Sequence, residues 1–160
     1  MKVEYINPFI DSVHTLFSTM LNAKATRGTP GISKQSGDPR DITGLIGLSG
    51  PARGTVAVSF PDNTALAVAS RLLGSEITTM DDSVSDVIAE LVNIIAGSAK
   101  ARFKTDAPRP IELSLPTVVR GSNYAVQYPS GSVWLEVPFE SDLGPFSMRV
   151  TFEMMQGAQD

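Results

Sequence analysis

Apolar residues recur every three or four positions in three stretches of the chain and every second position in several others. Phe9, Ile10, Val13, Phe17, Met20 and Leu21 keep the first rhythm, which predicts an amphipathic helix from about Asn7 to Ala25. Asn7 is suited to cap it and Pro8 to open it, because the missing proline N–H costs nothing in a first turn. A second helix is predicted from Asn63 to Leu73, behind a capping Asp62 and stopped by Gly74. A third, longer helix spans about Ser83 to Phe103. Asp81, Asp82 and Asp86 stand at its start and Lys100, Arg102 and Lys104 at its end, and both sets complement the helix dipole. Strands are predicted elsewhere. Ile42, Leu45, Ile46 and Leu48 precede Gly50-Pro51, and Val56, Val58 and Phe60 alternate after it, so Asp41 to Pro61 reads as a β-hairpin, with Gly44 and Gly47 suited to a bulge. Further strands are expected over Ile111 to Val119, Tyr124 to Tyr128, Val133 to Phe139 and Phe146 to Met154. In the last of these, Phe146, Met148, Val150 and Phe152 alternate with Ser147, Arg149, Thr151 and Glu153. The stretch Thr26 to Arg40 shows no period and holds Gly28, Pro30, Gly31, Gly37 and Pro39, so it reads as a long surface loop. Helix, hairpin, two helices and then a run of strands predict an α+β fold, a largely antiparallel sheet of about six strands with three helices.

Composition narrows the chemistry. A length of 160 residues fits one domain, taken here as 1–160. Cysteine is absent, which excludes disulfides, Cys-ligated zinc and thiol nucleophiles. The single histidine, His14, excludes a His-rich metal site. Thirteen basic against 17 acidic residues give a net charge of −4, so no nucleic-acid partner is expected. Glu4, Asn7 and Pro8 interrupt any signal-peptide core, and the longest apolar run, Ala65 to Ala69, falls far short of the roughly 20 residues that cross a bilayer. The expected location is the cytoplasm, without a membrane partner. The glycines of the hairpin lack the pattern of a phosphate loop, and no serine has a readable histidine base. Trp134 and the Phe146 to Phe152 stripe read as packing residues.

The long helix carries the remaining signal. At 100° per residue, Val84, Val87, Ile88, Leu91, Ile95 and Ala99 gather on one side. Asp86, Glu90, Asn93, Gly97 and Lys100 form one line opposite them. A polar line opposite an apolar one is what any half-buried helix shows, and Ser83-x-x-Asp86 also resembles a capping box, in which Asp86 would merely satisfy helix N–H groups. Two residues point elsewhere. Asn is a mediocre mid-helix residue and Gly97 costs roughly 1 kcal/mol against Ala, so a helix built only for stability would avoid both. Ala96 and Gly97 would also admit another surface close to the backbone. Glu90 and Asn93 lie three apart, with Cβ atoms expected about 5–6 Å from each other. A carboxamide donates and accepts at once and so can fix a water molecule, while a carboxylate can pair with a partner's Lys or Arg. With no metal site or histidine nearby, the pair could complete a reaction centre whose electrophile and metal belong to another protein, as water-positioning residues do in phosphoryl transfer.

Asp86-x-x-x-Glu90-x-x-Asn93 followed by Ala96-Gly97 resembles the signature helix of the CheC/CheX/FliY phosphatases of bacterial chemotaxis. Ile46-Gly47-Leu48-Ser49-Gly50, Thr64-Ala65-Leu66 and Pro116-Thr117-Val118-Val119-Arg120-Gly121 are similar to segments of the CheX group in the same order. The resemblance covers nearly the whole chain, and a single copy of the motif fits CheX better than CheC. It implies hydrolysis of the aspartyl phosphate of a CheY-like response regulator. Glu90 would pair with the regulator's active-site Lys, Asn93 would orient the attacking water, and Asp86 and Gly97 would contact the partner. Mg²⁺ would be held by the regulator and no cofactor by this chain. The resemblance also implies a homodimer, joined through an exposed sheet edge. The alternative is a non-catalytic module that sequesters a response regulator or another chemotaxis protein. Asp11-x-x-His14 has the same spacing on the first helix but the wrong residues, so no second site is expected there.

Overall fold

The computed structural model describes residues 3–33, 41–103, 108–121 and 133–155. Three α-helices, α1 (Asn7–Thr19), α2 (Asp62–Leu73) and α3 (Asp82–Arg102), accompany an antiparallel sheet, as the apolar rhythm predicts. Among the described residues the sheet has eight strands rather than about six. They are β1 (Ala25–Arg27), β2 (Gly31–Ile32), β3 (Ile42–Ser49), β4 (Ala52–Phe60), β5 (Glu112–Leu113), β6 (Thr117–Arg120), β7 (Leu135–Ser141) and β8 (Phe146–Met154). Their order is β1-β7-β8-β4-β3-β5, with β2 also on β7 and β6 also on β3.

Two departures from the expected pattern account for the larger count. The stretch read as a surface loop contributes β1 and β2, whose pairing with β7 supplies backbone hydrogen bonds that no local periodicity announces. The strand expected over Ile111 to Val119 is two short ones. Between them Pro116 has no N–H to give a ladder, and the Ser114 N–H instead donates to the Gly47 carbonyl over 2.9 Å. The strand expected over Tyr124 to Tyr128 lies outside the described residues.

Other boundaries shift for identifiable reasons. Helix α1 ends at Thr19, well before Ala25, because Asn22 takes a left-handed backbone (φ 46°) and the chain turns into β1. A 3₁₀ turn, Val3–Ile6, runs straight into α1, so Asn7 is its first residue and does not cap it. Asp62 likewise is the first residue of α2, with Pro61 in the capping position, while Gly74 ends that helix with φ 70°. The β3–β4 hairpin pairs without interruption from Ile42↔Phe60 to Leu48↔Gly54, so Gly44 and Gly47 make no bulge. Gly44 has a different use. A Cβ there would stand 3.0 Å from Ile88 Cγ2 and 3.3 Å from Val92 Cγ1 and the Ile88 carbonyl, so the bare backbone lets α3 settle on β3.

The core fills the space between helices and sheet. Ile42, Ile46, Val56, Val58, Val137, Met148, Val150 and Phe152 face Phe9, Val13, Val68, Ile88, Leu91 and Ile95. At its centre, Phe146 stacks on Phe17 and on Phe139, each with centroids 4.9 Å away, and on Phe60 at 5.3 Å. Trp134 is buried, as are the alternating residues of β8, in agreement with their reading as packing residues. On the other face of the sheet, Thr43 and Ser59 are direct cross-strand partners whose hydroxyls lie 2.8 Å apart.

Candidate functional site

Helix α3 is fixed at both ends and from below. Its cap is Asp81, whose Oδ1 accepts the N–H of Ser83 at 3.0 Å and of Val84 at 3.3 Å, so Ser83 and Asp86 do not form the expected capping box. The Ser83 hydroxyl also donates to Asp81, and this bond, with the backbone N–H bonds, holds the Asp81 carboxyl below its ordinary pKa. At the far end, Arg102 reaches Thr15 Oγ1 (3.3 Å) and Asp11 (4.0 Å) on α1. Asp11 is thereby an exposed ion-pair member and His14 a half-buried residue edge-on to Phe139.

All six apolar positions named for the inner face of α3 are buried, together with Val92 and Ala96. Ala96 was expected beside Gly97 on the approachable side. A 3.6-residue turn instead puts it with Val92 and Ile95 against the sheet, where no partner can reach it. Asp86 and Glu90 are exposed, and Asn93, Gly97 and Lys100 are half-buried. The line is therefore outward along its length, and neither Glu90 nor Asn93 is turned into the interior.

Gly97 borders the sheet margin. Among the described residues, a Cβ built there meets only Leu113 Cδ1, at an ordinary 3.9 Å. Nothing in the fold demands glycine at this helical position. Gly97→Ala is expected to stabilise the protein by about 0.5–1 kcal/mol, through backbone entropy alone. The midpoint of urea unfolding measures it, and a fall in that midpoint would show that Gly97 is needed for packing.

Glu90 and Asn93 stand on the outward side of a helix. Two hollows on the described surface, of about 530 and 330 Å³, include neither Glu90 nor Asn93. The first lies between α1 and the β7–β8 turn, lined by His14, Ser18, Lys24 and Asp142, and the second by Asp41, Asp62, Met80 and Arg120. In the second, burial first and the Asp41 carboxylate next raise the pKa of Asp62. Among the described residues no three Asp, Glu or His side chains gather closely enough to hold a metal, and no helix is long and apolar enough to cross a membrane.

The fold that carries this helix, an antiparallel sheet with three helices, is found in known proteins. The family described as chemotaxis phosphatase CheX matches residues 42–140, which include the hairpin and the whole of α3. The chain belongs to the CheX family. A relative in that family, the CheY-P phosphatase CheX of Thermotoga maritima, is 27% identical over 139 residues, covering 86% of this chain and 88% of that one. The fold is similar to that of a CheC-like superfamily protein from Shewanella sp. PV-4, with a TM-score of 0.85 and 31% identity over 96% of this chain and 99% of the other. It is also similar to a chain in the CheX–CheY–BeF3–Mg²⁺ complex from Borrelia burgdorferi, with a TM-score of 0.76 and 26% identity over 95% of this chain and 99% of the other. The α+β architecture inferred from apolar rhythm is thus the CheX architecture, and the stretch that prompted the resemblance lies inside the matched span.

Two features of this CheX-family face escaped sequence reasoning. Asp81 caps the helix, although an Asp-x-Ser start was visible. Leu115 stands almost fully in solvent, although it lies in a stretch that reads as a strand.

Proposed function

We propose that this protein is a phosphatase that hydrolyses the aspartyl phosphate of a CheY-like response regulator in chemotaxis signalling. The observation that carries the proposal is the placement of Glu90, exposed, and Asn93, half-buried, on the outer side of α3, opposite its buried apolar positions. A carboxylate and a carboxamide in that position have no electrophile of their own to act on. Membership of the CheX family and the likeness to a phosphatase of CheY-P and to a CheX bound to CheY support a receiver domain as the missing half.

In this reading α3 lies across the receiver's phosphorylation site. Glu90 pairs with the receiver's active-site Lys, which fixes the register of docking. The Asn93 carboxamide accepts from one water molecule through Oδ1 and donates through Nδ2, and so sets that water in line with the phosphorus. Asp86 extends the acidic end of the contact. Gly97, bare of side chain, lets the receiver's backbone come close. Mg²⁺, which neutralises developing charge on the phosphoryl oxygens, is held by the receiver, and this chain supplies alignment.

A homodimer belongs to the same proposal. Strands β1 and β2 lie at one margin of the described sheet, where Ile32 is 75% exposed. A solvent-facing strand with an apolar side chain suits pairing with a second copy.

Turnover tests the function. A CheY-like receiver from the same genome, phosphorylated with acetyl phosphate, is mixed with this protein at one-hundredth of its concentration. Phosphate release well beyond one equivalent of the protein is the expected result. Binding that merely protects or sequesters the receiver one-to-one leaves the release rate at the receiver's own value and would identify a non-catalytic module.

A further inference from the structure

Leu115 is 89% exposed, the most of any large apolar side chain among the described residues. Its backbone is nevertheless held firmly. Ser114 N–H donates to the Gly47 carbonyl over 2.9 Å, Gly47 N–H donates to Ser114 Oγ over 2.8 Å, and the Ser114 hydroxyl donates to the Leu115 carbonyl over 3.0 Å. Pro116 follows and restricts the backbone of Leu115 to extended conformations. A leucine on a loose loop would cost nothing to leave in water. One presented by a pinned segment is poised for contact, because little freedom remains to be lost on binding.

Register places this leucine beside the catalytic face. Leu113 lies opposite Leu48 on β3, and Thr117 lies opposite Leu45. Gly44 of the same strand sits under Ile88 and Val92, while Leu113 flanks Gly97. Moving along β3 from Gly44 to Leu48 therefore moves along α3 from Val92 to Gly97. Leu115, between Leu113 and Thr117, thus follows Leu113 along the margin of the described sheet that Gly97 borders.

We propose that Leu115 is a specificity-determining anchor, which seats an apolar side chain of the receiver domain next to the phosphorylated aspartate when α3 docks. The inference rests on the phosphatase reading above and adds a residue from outside the motif helix. Continuity with the docking face selects the occupant. A receiver that covers Asn93 and reaches the open backbone at Gly97 must also cover the sheet margin beside it. The acidic end of the face, Asp86 and Glu90, orients the receiver by charge, and Leu115 closes the other end with an apolar contact that water would otherwise fill.

Steady-state hydrolysis of the phosphorylated receiver tests this with the parent, Leu115→Ala, Leu115→Met and Asn93→Ala side by side. Leu115→Ala is expected to raise KM about five- to tenfold with kcat within about twofold, as loss of a buried leucine contact does. Leu115→Met should restore KM to near the parent value. A KM for Leu115→Ala within twofold of the parent overturns the inference, as does a fall in kcat at constant KM or a change in oligomeric mass in place of the KM effect. If the parent is active and Asn93→Ala is not, the phosphatase reading stands whichever way Leu115 falls. A parent without turnover removes that reading and this inference with it.

Discussion

Asn93→Ala is expected to lose about 10²–10³-fold in kcat, with binding of the phosphorylated receiver nearly unchanged. The magnitude follows from what the carboxamide is asked to do. In the proposed reading it adds no bond to the ground-state complex that other contacts do not already secure, and its contribution comes only when the water approaches phosphorus. The same substitution should not harm the fold. Asn93 is half-buried on the outer line of α3, and Ala is the better mid-helix residue. Activity and stability are thus expected to move in opposite directions, which separates a lost chemical role from a damaged scaffold. Glu90→Ala differs in kind. Removal of the carboxylate proposed to fix docking should raise KM as well as lower kcat. Hydrolysis assays of the phosphorylated receiver decide both, and parental rates in both variants would end the assignment of this pair.

Phe146→Ala is expected to be the most destabilising single change in the sheet. The ring contacts three others, Phe17 from α1, Phe60 from β4 and its direct cross-strand partner Phe139 from β7. It is fully buried, and an alanine methyl leaves most of the space of the phenyl ring empty. Loss of the transfer energy and of three ring contacts should cost about 3–5 kcal/mol, out of a total typically between about 5 and 15. The corresponding fall in Tm is roughly 6–20 °C for a chain of this length. Thermal unfolding followed by far-ultraviolet circular dichroism measures it. A fall below about 3 °C would mean that the neighbouring rings close over the gap.

The difference between what could and could not be read from the chain follows its range of interaction. Helix α3 was legible because its inner and outer lines are written at the helical period, and the hairpin because Gly50-Pro51 separates two apolar runs. Strands β1 and β2 were not, since Thr26, Gly28 and Pro30 carry loop signals and only the distant β7 makes them strands. The break between β5 and β6 had a local sign in Pro116, but the Ser114–Gly47 bonds that hold the segment there cross the sheet. The Glu90–Asn93 pair was visible as a spacing. That Ala96 faces inward while Gly97 stays open needed the packing of α3 itself.

Gly44 bears on all of this from underneath. The height at which the acid and the amide stand above the sheet is set by a hydrogen atom on a neighbouring strand, where any other residue would insert a methyl-sized shim below Ile88 and Val92. Lifting the rod by even a few tenths of an ångström would carry Glu90 and Asn93 outward together while Leu115, tied to the sheet, stayed behind. The reach of one relative to the other is therefore written in the floor on which the helix rests, at a residue no receiver could touch.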